Sequence, residues 1–258
     1  MTSLVRVGIL AANTLREAIR NRVLYTLVFF AVLLIGTGVL LSTLSYVERE
    51  RILQDVGLAA IRLFGAAIAI FVGIGLIHSE VDRRTIYTIL SKPLSRTEFL
   101  LGKYVGLVIT LWLQLLIMAG VFAVCSLLVN APLTIAHAAA LVLTAMELAL
   151  LASIATLFSA FTTPMLASLF TVGLYLIGHL TRNLRDLGQR SQVVAVRELS
   201  ALLHQVLPDL ETFNLSTQAV HTLPVATSDV LLPIAYGVGY ATLVLFLASV
   251  AFERRDFR

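Results

Sequence analysis

Residues 79–103 read SEVDRRTIYTILSKPLSRTEFLLGK and form a basic, polar stretch between two long apolar runs. The apolar periodicity before Pro93 predicts a short amphipathic helix that stops at Lys92, because a proline disfavours helical geometry in the residue before it. Ser95 and Glu98 have the spacing of a capping box, so a second helix is predicted to begin there. The basic side chains of this corner are expected to project into water. They are Arg83, Arg84, Lys92, Arg96 and Lys103.

The rest of the chain has the composition of a membrane protein. Of its 258 residues, 59% are hydrophobic and 13% are charged, and the mean hydropathy is +0.93. Several apolar runs reach the roughly 20 residues that cross about 30 Å of hydrocarbon, which excludes a soluble protein. The predicted fold class is therefore an all-α membrane protein, with residues 1–258 as a single transmembrane domain. Six transmembrane helices are predicted, at residues 23–44, 56–77, 104–129, 135–158, 161–180 and 230–252.

The basic residues predict how these spans are oriented. Twelve of the 19 Lys and Arg fall in segments that share one side of the membrane with the N-terminus. The positive-inside rule therefore places both termini and residues 79–103 in the cytoplasm of a multi-pass protein of the inner or plasma membrane. The same bias accounts for the pI of about 9.5. No nucleic-acid partner is predicted, because no stacking aromatic residues are interleaved with the basic ones.

Two further segments lie outside the predicted spans. Residues 1–22 place apolar and charged side chains on opposite helical faces, which predicts an interfacial helix and not a cleaved signal peptide. Residues 181–229 form an extracytoplasmic segment. Within it, residues 196–206 are predicted to form an amphipathic helix on the outer leaflet or dipping into it, ended by Pro208. Cys125, the only cysteine, lies in the third span, so no disulfide builds this segment.

Small residues recur along the second predicted span. Gly65, Ala69 and Gly73 follow one another at intervals of four residues and share one helical face. Such a stripe permits close contact between helices in a membrane. Packing within one subunit is expected in preference to a dimer seam.

Motifs of catalytic and metal sites are missing from the sequence. Gly102-Lys103 lacks the upstream glycine and the hydroxyl residue of a phosphate loop, and neither H-E-x-x-H nor C-x-x-C occurs. The five histidines are dispersed and are expected at span ends or in loops. No catalytic residue, metal site or cofactor bound by this chain is therefore predicted.

Glu147 is the one acidic residue deep inside a predicted span. An ionised carboxylate facing lipid is costly, so Glu147 is expected to face the bundle, a cavity or a partner subunit, or to be protonated. Two interpretations stay open. Glu147 is either a polar contact in the substrate path or a protonated carboxyl bonded to a neighbouring helix, for example to Gln114 of the third span. Arg62, near the outer end of the second span, is expected to extend outward and anchor at the interface.

The stretch of residues 79–103 resembles the cytoplasmic loop of type-2 ABC transporter permeases. In that family an acidic residue leaves the second span, followed by a threonine, a leucine, a Pro-x-Ser-Arg corner and a Gly-Lys. The matching residues are Glu80, Thr85, Leu90, Pro93, Ser95, Arg96, Gly102 and Lys103. The interfacial helix, the six spans, the long outer connection and the basic tail also resemble the family. Arg84 departs from the pattern, since family members often have glycine there.

The resemblance implies the permease subunit of an exporter without an ATPase site of its own. A separate cytoplasmic ABC ATPase subunit would bind ATP and Mg, and a second permease copy or a paralogue would complete the membrane part. An accessory extracytoplasmic protein is a candidate third partner. Residues 79–103 would form a coupling helix against the ATPase. The residues that the resemblance places in this coupling are Glu80, Arg83, Arg84, Thr85, Leu90, Lys92, Pro93, Ser95, Arg96, Gly102 and Lys103.

Two other functional classes stay open on the residues alone. An intramembrane enzyme would use Glu147 with a histidine, but no second deep catalytic residue accompanies Glu147 in the sequence. A secondary transporter would need coupling-ion ligands or inverted repeats near the middle of the membrane, and neither is evident. Co-purification of an ATPase subunit would distinguish the permease from both alternatives.

Overall fold

The computed structural model describes residues 3–43, 48–82, 95–190, 197–198, 200 and 207–253. Over these residues the chain is helical and has no strand. The helices are α1 Ser3–Ile19, α2 Arg22–Ser42, α3 Arg49–Asp82, α4 Arg96–Leu128, α5 Ile135–Phe161, α6 Pro164–Arg190, a 3-10 helix Leu210–Phe213, α7 Ser216–Val220 and α8 Ser228–Glu253. Among the described residues, six of these helices are long and apolar enough to cross a membrane. The all-α fold class and the six predicted spans are thereby confirmed.

The six long helices, α2 to α6 and α8, alternate in direction. Arg96, at the start of α4, contacts Glu253, at the end of α8, and α1 packs on this part of α4. These elements define the α1 end of the bundle. The chain between α6 and α8 lies at the other end, here called the far end.

A proline separates the fourth span from the fifth. α5 ends at Phe161 and α6 begins at Pro164. Thr162 is extended, with φ −118° and ψ 177°, so the helical backbone is interrupted two residues before Pro164. Pro164 itself fits the first turn of a helix, where its missing N–H is not needed. The long apolar run is thus two helices.

α5 is the central helix of the bundle. Residues 147–156 are all buried, so the helix is covered on every side along almost three turns. α3, α4, α6 and α8 all pack against it. Many of its covered side chains are small, as close contact between membrane helices requires.

Glycines on α3 allow close packing against two neighbours. A Cβ at Gly65 would lie 2.9 Å from Cδ1 of Leu148 on α5, and a Cβ at Gly73 would lie 2.8 Å from Cδ2 of Leu107 on α4. The expected close contact along this stripe is confirmed, and at these two positions it is made within one chain.

α1 packs against the first turns of α4. Ala11, Thr14 and Ala18 of α1 are buried, and the contact is tight because α4 presents Gly102 and Gly106. A Cβ at Gly106 would lie 2.6 Å from Cβ of Thr14 and 2.7 Å from the carbonyl oxygen of Ala11. The helix predicted for residues 1–22 is present, and its inner face lies on the bundle.

The segment predicted to be extracytoplasmic is partly inside the bundle. Of its described residues, Leu210 and Ala219 are fully buried and Phe213 is 1% exposed. Residues 208–220 are called the inserted segment below. The amphipathic helix predicted at residues 196–206 lies almost wholly outside the described residues.

We predict that Gly106→Ala weakens the contact between α1 and α4. The added methyl group meets the α1 backbone, and overpacking of this kind costs about 1–3 kcal/mol. The melting temperature of the detergent-solubilised protein should fall. Gly120→Ala on the same helix is the matched control, because no atom lies within 4 Å of its added Cβ. Equal melting temperatures for the two variants would contradict this packing.

Candidate functional site

The helix predicted after the proline corner begins with the expected capping box. The Ser95 hydroxyl accepts a hydrogen bond of 3.1 Å from the Glu98 backbone N–H, and the Ser95 N–H donates to Glu98 Oε2 at 3.1 Å. Both bonds satisfy donors that a helix start otherwise leaves free. The local signal in the sequence was therefore sufficient to place this helix start.

Arg96 contacts the end of α8. Its Nη1 donates to the carbonyl oxygens of Phe252, at 3.4 Å, and Glu253, at 2.9 Å. Carbonyls at a helix C-terminus lack helical partners and carry partial negative charge, so a guanidinium binds there favourably. Phe99 and Phe252 stack beside this contact with ring centroids 6.1 Å apart. The expectation that Arg96 projects into water is met only in part, because the side chain is half-buried against the end of α8.

Two ion pairs join α4 to α1. Arg6 Nη1 lies 3.5 Å from Glu98 Oε2, and Lys103 Nζ lies 3.0 Å from Glu17 Oε2. Lys103 is 2% exposed, and its ammonium also lies 3.5 Å from the carbonyl oxygen of Leu76 on α3. The expectation that Lys103 projects into water is therefore wrong. Residues 95–106 with their contacts on α1, α3 and α8 are called the α4 junction below.

The central part of the predicted coupling helix lies outside the described residues. This holds for Arg83, Arg84, Thr85, Leu90, Lys92 and Pro93. Glu80 lies in the last turn of α3, but its side chain is not among those described. The proline corner and its contacts with an ATPase thus stay predictions.

A second polar site lies inside the bundle, where Glu147 of α5 meets Arg62 of α3. Arg62 Nε donates to Glu147 Oε2 at 2.7 Å. The Glu147 side chain is fully buried and that of Arg62 is 12% exposed. The outward orientation expected for Arg62 is wrong, since an unpaired buried carboxylate is costly and the guanidinium offsets its charge. Opposite charges within two predicted spans were the signal that could have revealed this pair.

His179 of α6 completes the site on the other side of Glu147. Its Nδ1 lies 2.9 Å from the carbonyl oxygen of Tyr175, and only a protonated Nδ1 can bond there. Nε2 then lies 3.2 Å from Glu147 Oε1, without the alignment of a hydrogen bond. This contact is attractive only if Nε2 also carries a proton. His179 lies at a span end, as expected, but its contact with Glu147 was not predicted from the sequence.

The hypothesis that Gln114 bonds to Glu147 is wrong as well. Gln114 of α4 is 3% exposed, and neither amide atom has a hydrogen-bond partner among the described residues. A buried amide without partners costs about 1–3 kcal/mol for each unsatisfied group. Glu147 is bound to Arg62 and contacts His179, so the two residues proposed for a substrate path have different surroundings.

Gln54 and Gln114 allow a direct test, because both are 3% exposed and their amides differ in hydrogen bonding. The Gln54 amide donates to the carbonyl oxygen of Pro132 at 3.2 Å. We predict that Gln114→Met raises the melting temperature in detergent, since it removes an unsatisfied amide at nearly constant volume. Gln54→Met should lower the melting temperature. A loss of stability in both variants would contradict the unsatisfied state of Gln114.

Comparison with known proteins agrees with this architecture. None of the curated proteins matches the chain. The model of a protein family described as ABC-2 family transporter protein matches residues 9–257. This match includes all six helices able to span a membrane as well as the α4 junction. The chain therefore belongs to the ABC-2 family of transporter proteins, as a membrane-spanning permease subunit that is not itself catalytic.

Proposed function

We propose that this permease is driven by a separate cytoplasmic ABC ATPase that docks on residues 79–103. The ATPase would bind ATP and Mg, and the membrane part would contain two permease chains, identical or paralogous. The direction is proposed to be export, on the resemblance of residues 79–103 to the loop of type-2 exporters. The N-terminus and residues 79–103 would face the cytoplasm, as the distribution of basic residues predicts.

The α4 junction is the observation that best supports this proposal. Residues just after the proposed docking corner bind three other helices: Arg96 binds α8, Glu98 binds α1, and Lys103 binds both α1 and α3. A displacement of Pro93 by the ATPase would therefore move the start of α4, which is held by contacts with three helices, and would not be absorbed by a flexible loop. Rigid, well-supported elements transmit displacement over distance, whereas flexible connections absorb it.

A route for this displacement runs along α5. Near its end, Ala160 packs with Phe99 and Leu100 of α4 in a small apolar cluster. Glu147 lies 13 residues earlier on the same helix, which is about 20 Å along its axis. Movement at the α4 junction would thus be conveyed to the buried polar site.

Gln114 remains a proposed contact in the substrate path. Its unpartnered amide supports this role, because a polar group of a passing substrate or a water molecule would satisfy it. For Glu147 a role through Arg62 and His179 is proposed. The pairing of Glu147 with Arg62 does not favour the two alternative classes, since a proton carrier or a catalytic base needs a carboxylate that is free to exchange protons.

We predict that Arg96→Met uncouples the ATPase while leaving the complex assembled. The substitution removes the bonds from Arg96 to the end of α8 but keeps Pro93 and the capping box of Ser95 and Glu98. Affinity purification through a tag on this chain should recover the ATPase subunit at the parental ratio, and ATPase activity per complex should fall severalfold. Arg20→Met, at an exposed position of the α1 end, should change neither quantity.

Pro93→Ala tests the docking corner itself. Loss of the proline allows the two predicted helices to fuse or to change their angle, so less ATPase should be recovered with the tagged chain. Recovery and ATPase activity equal to the parent in both Pro93→Ala and Arg96→Met would refute ATPase coupling through this region. If no ATPase is recovered even with the parent chain, a secondary transporter becomes the better explanation.

A further inference from the structure

The inserted segment is fitted into the far end of the bundle. Gly178 on α6 leaves the space that Leu210 occupies, since a Cβ there would lie 2.8 Å from Cγ of Leu210. Gly237 on α8 leaves the space that the Phe213 ring occupies, since a Cβ at position 237 would lie 3.0 Å from Cζ of Phe213. The segment thus lies against α6 and α8 with matching shape, and α7 extends the contact to α3 and α5.

Polar contacts fasten the start of the segment from three helices. The Asp209 backbone N–H donates to the Tyr236 hydroxyl of α8 at 3.0 Å, and the Thr181 hydroxyl of α6 donates to Asp209 Oδ1 at 3.4 Å. From α3, Arg62 Nη2 donates to the carbonyl oxygen of Leu210 at 3.3 Å. Of these three side chains, that of Arg62 is charged and belongs at the same time to the buried site.

Arg62 is held in position by Glu147. The guanidinium is a rigid, planar fork, so the bond from its Nε to Glu147 also sets the direction of Nη2. Nη2 then reaches Leu210 and lies 3.9 Å from Glu211 Oε2. The bond from Arg62 Nε to Glu147 is enough to neutralise the carboxylate. The bond from Nη2 to Leu210 has a different effect, because through Arg62 it connects the central helix α5 to the inserted segment.

We propose that Arg62 is a positioning residue for transport, a latch that Glu147 orients and that holds the inserted segment in the far end of the bundle. Opening the latch releases residues 208–220 and uncovers the space between α3, α6 and α8. The connection from the segment to α8 permits such movement, because residues 221–224, 226 and 227 are exposed. This inference rests on the transport role of the chain and does not depend on where an ATPase docks.

Cysteine labelling tests the latch in the full-length chain. Cys125 is the only cysteine, so Cys125→Ala provides a background without thiols. Ala219→Cys places a reporter at a fully buried position of the inserted segment. Ala31→Cys is a buried reporter on α2 that detects general unfolding, and Thr217→Cys is an exposed reporter that should react at the same rate in every variant.

The chain, with any subunits that co-purify, is placed in lipid nanodiscs and reacted with a water-soluble maleimide. The labelling rate of a buried thiol follows the population of the open state when opening and closing are fast. Arg62→Met should raise the labelling rate at position 219 by about tenfold or more, the effect expected for loss of a hydrogen bond from a charged donor. The rate at position 31 should not change.

The double substitution Arg62→Met with Glu147→Met separates a latch from simple charge balance. It leaves no unpaired buried charge, and apolar replacement of a buried ion pair is often well tolerated. A latch predicts that position 219 still reacts rapidly in the double variant. If Arg62 serves only to neutralise Glu147, labelling returns to the parental rate and the proposal is overturned.

If Arg62→Met also speeds labelling at position 31, that variant unfolds the bundle generally, and Arg62→Lys is the variant that tests the latch. Lysine keeps the charge opposite Glu147 but has one compact ammonium group in place of the fork. Faster labelling at position 219 with an unchanged rate at position 31 would support the latch. The parental rate at both positions would overturn it. If no ATPase co-purifies, the proposed docking is contradicted, whereas the labelling rates still test the latch.

Discussion

The buried ion pair between Arg62 and Glu147 determines which elements must lie together in this bundle. Glu147 lies on α5 at the start of a stretch that is covered on every side, so its charge has to be balanced by protein groups. Arg62 binds it from α3, and His179 approaches from α6. The same guanidinium reaches the inserted segment. One charge in an apolar environment therefore brings four separate parts of the chain into a single arrangement.

The α4 junction at the opposite end of the bundle is organised differently. There the contacts combine a capping box, a guanidinium at the end of α8 and two ion pairs with α1. Close packing supports them, because Gly102 and Gly106 let α1 approach the backbone of α4. Helices that cross a membrane gain little from burying apolar surface against one another, so small residues and polar contacts set their positions. α5 touches both regions, which makes it the element best placed to link them.

Family membership and the interior of the bundle both fit a membrane transport subunit. The match to the ABC-2 family extends over residues 9–257, and the described residues contain no cluster of side chains suited to a metal ion. Many of the described polar groups inside the bundle bind one another, whereas the Gln114 amide, His137 Nε2 and Gln218 Oε1 have no hydrogen bond within the described part of the chain. Such an interior suits a permease, in which polar contacts orient the helices.

Local signals in the sequence were sufficient for the fold class, the six spans, the helix at the N-terminus and the start of α4 at Ser95. Each of these features follows from a short stretch of sequence: the length of an apolar run, the residues on one helical face, or the spacing of Ser95 and Glu98. Such signals are local and need no tertiary contact. The resemblance of residues 79–103 to the loop of type-2 ABC permeases could also be recognised from the sequence alone.

Tertiary structure decided the partners of the charged residues. Arg62 and Glu147 are 85 positions apart, and Glu17 and Lys103 are 86 apart. Helical periodicity gives the face of one helix but not the helix that will cover it. Lys103 was therefore expected in water and Arg62 at the interface, whereas both bind partners within the bundle. Whether the inserted segment lies on the surface or inside the bundle could not be predicted, for the same reason. Its sequence is compatible with the surface. Gly178 and Gly237 make room for it inside the bundle, and Arg62, Thr181 and Tyr236 bind it there.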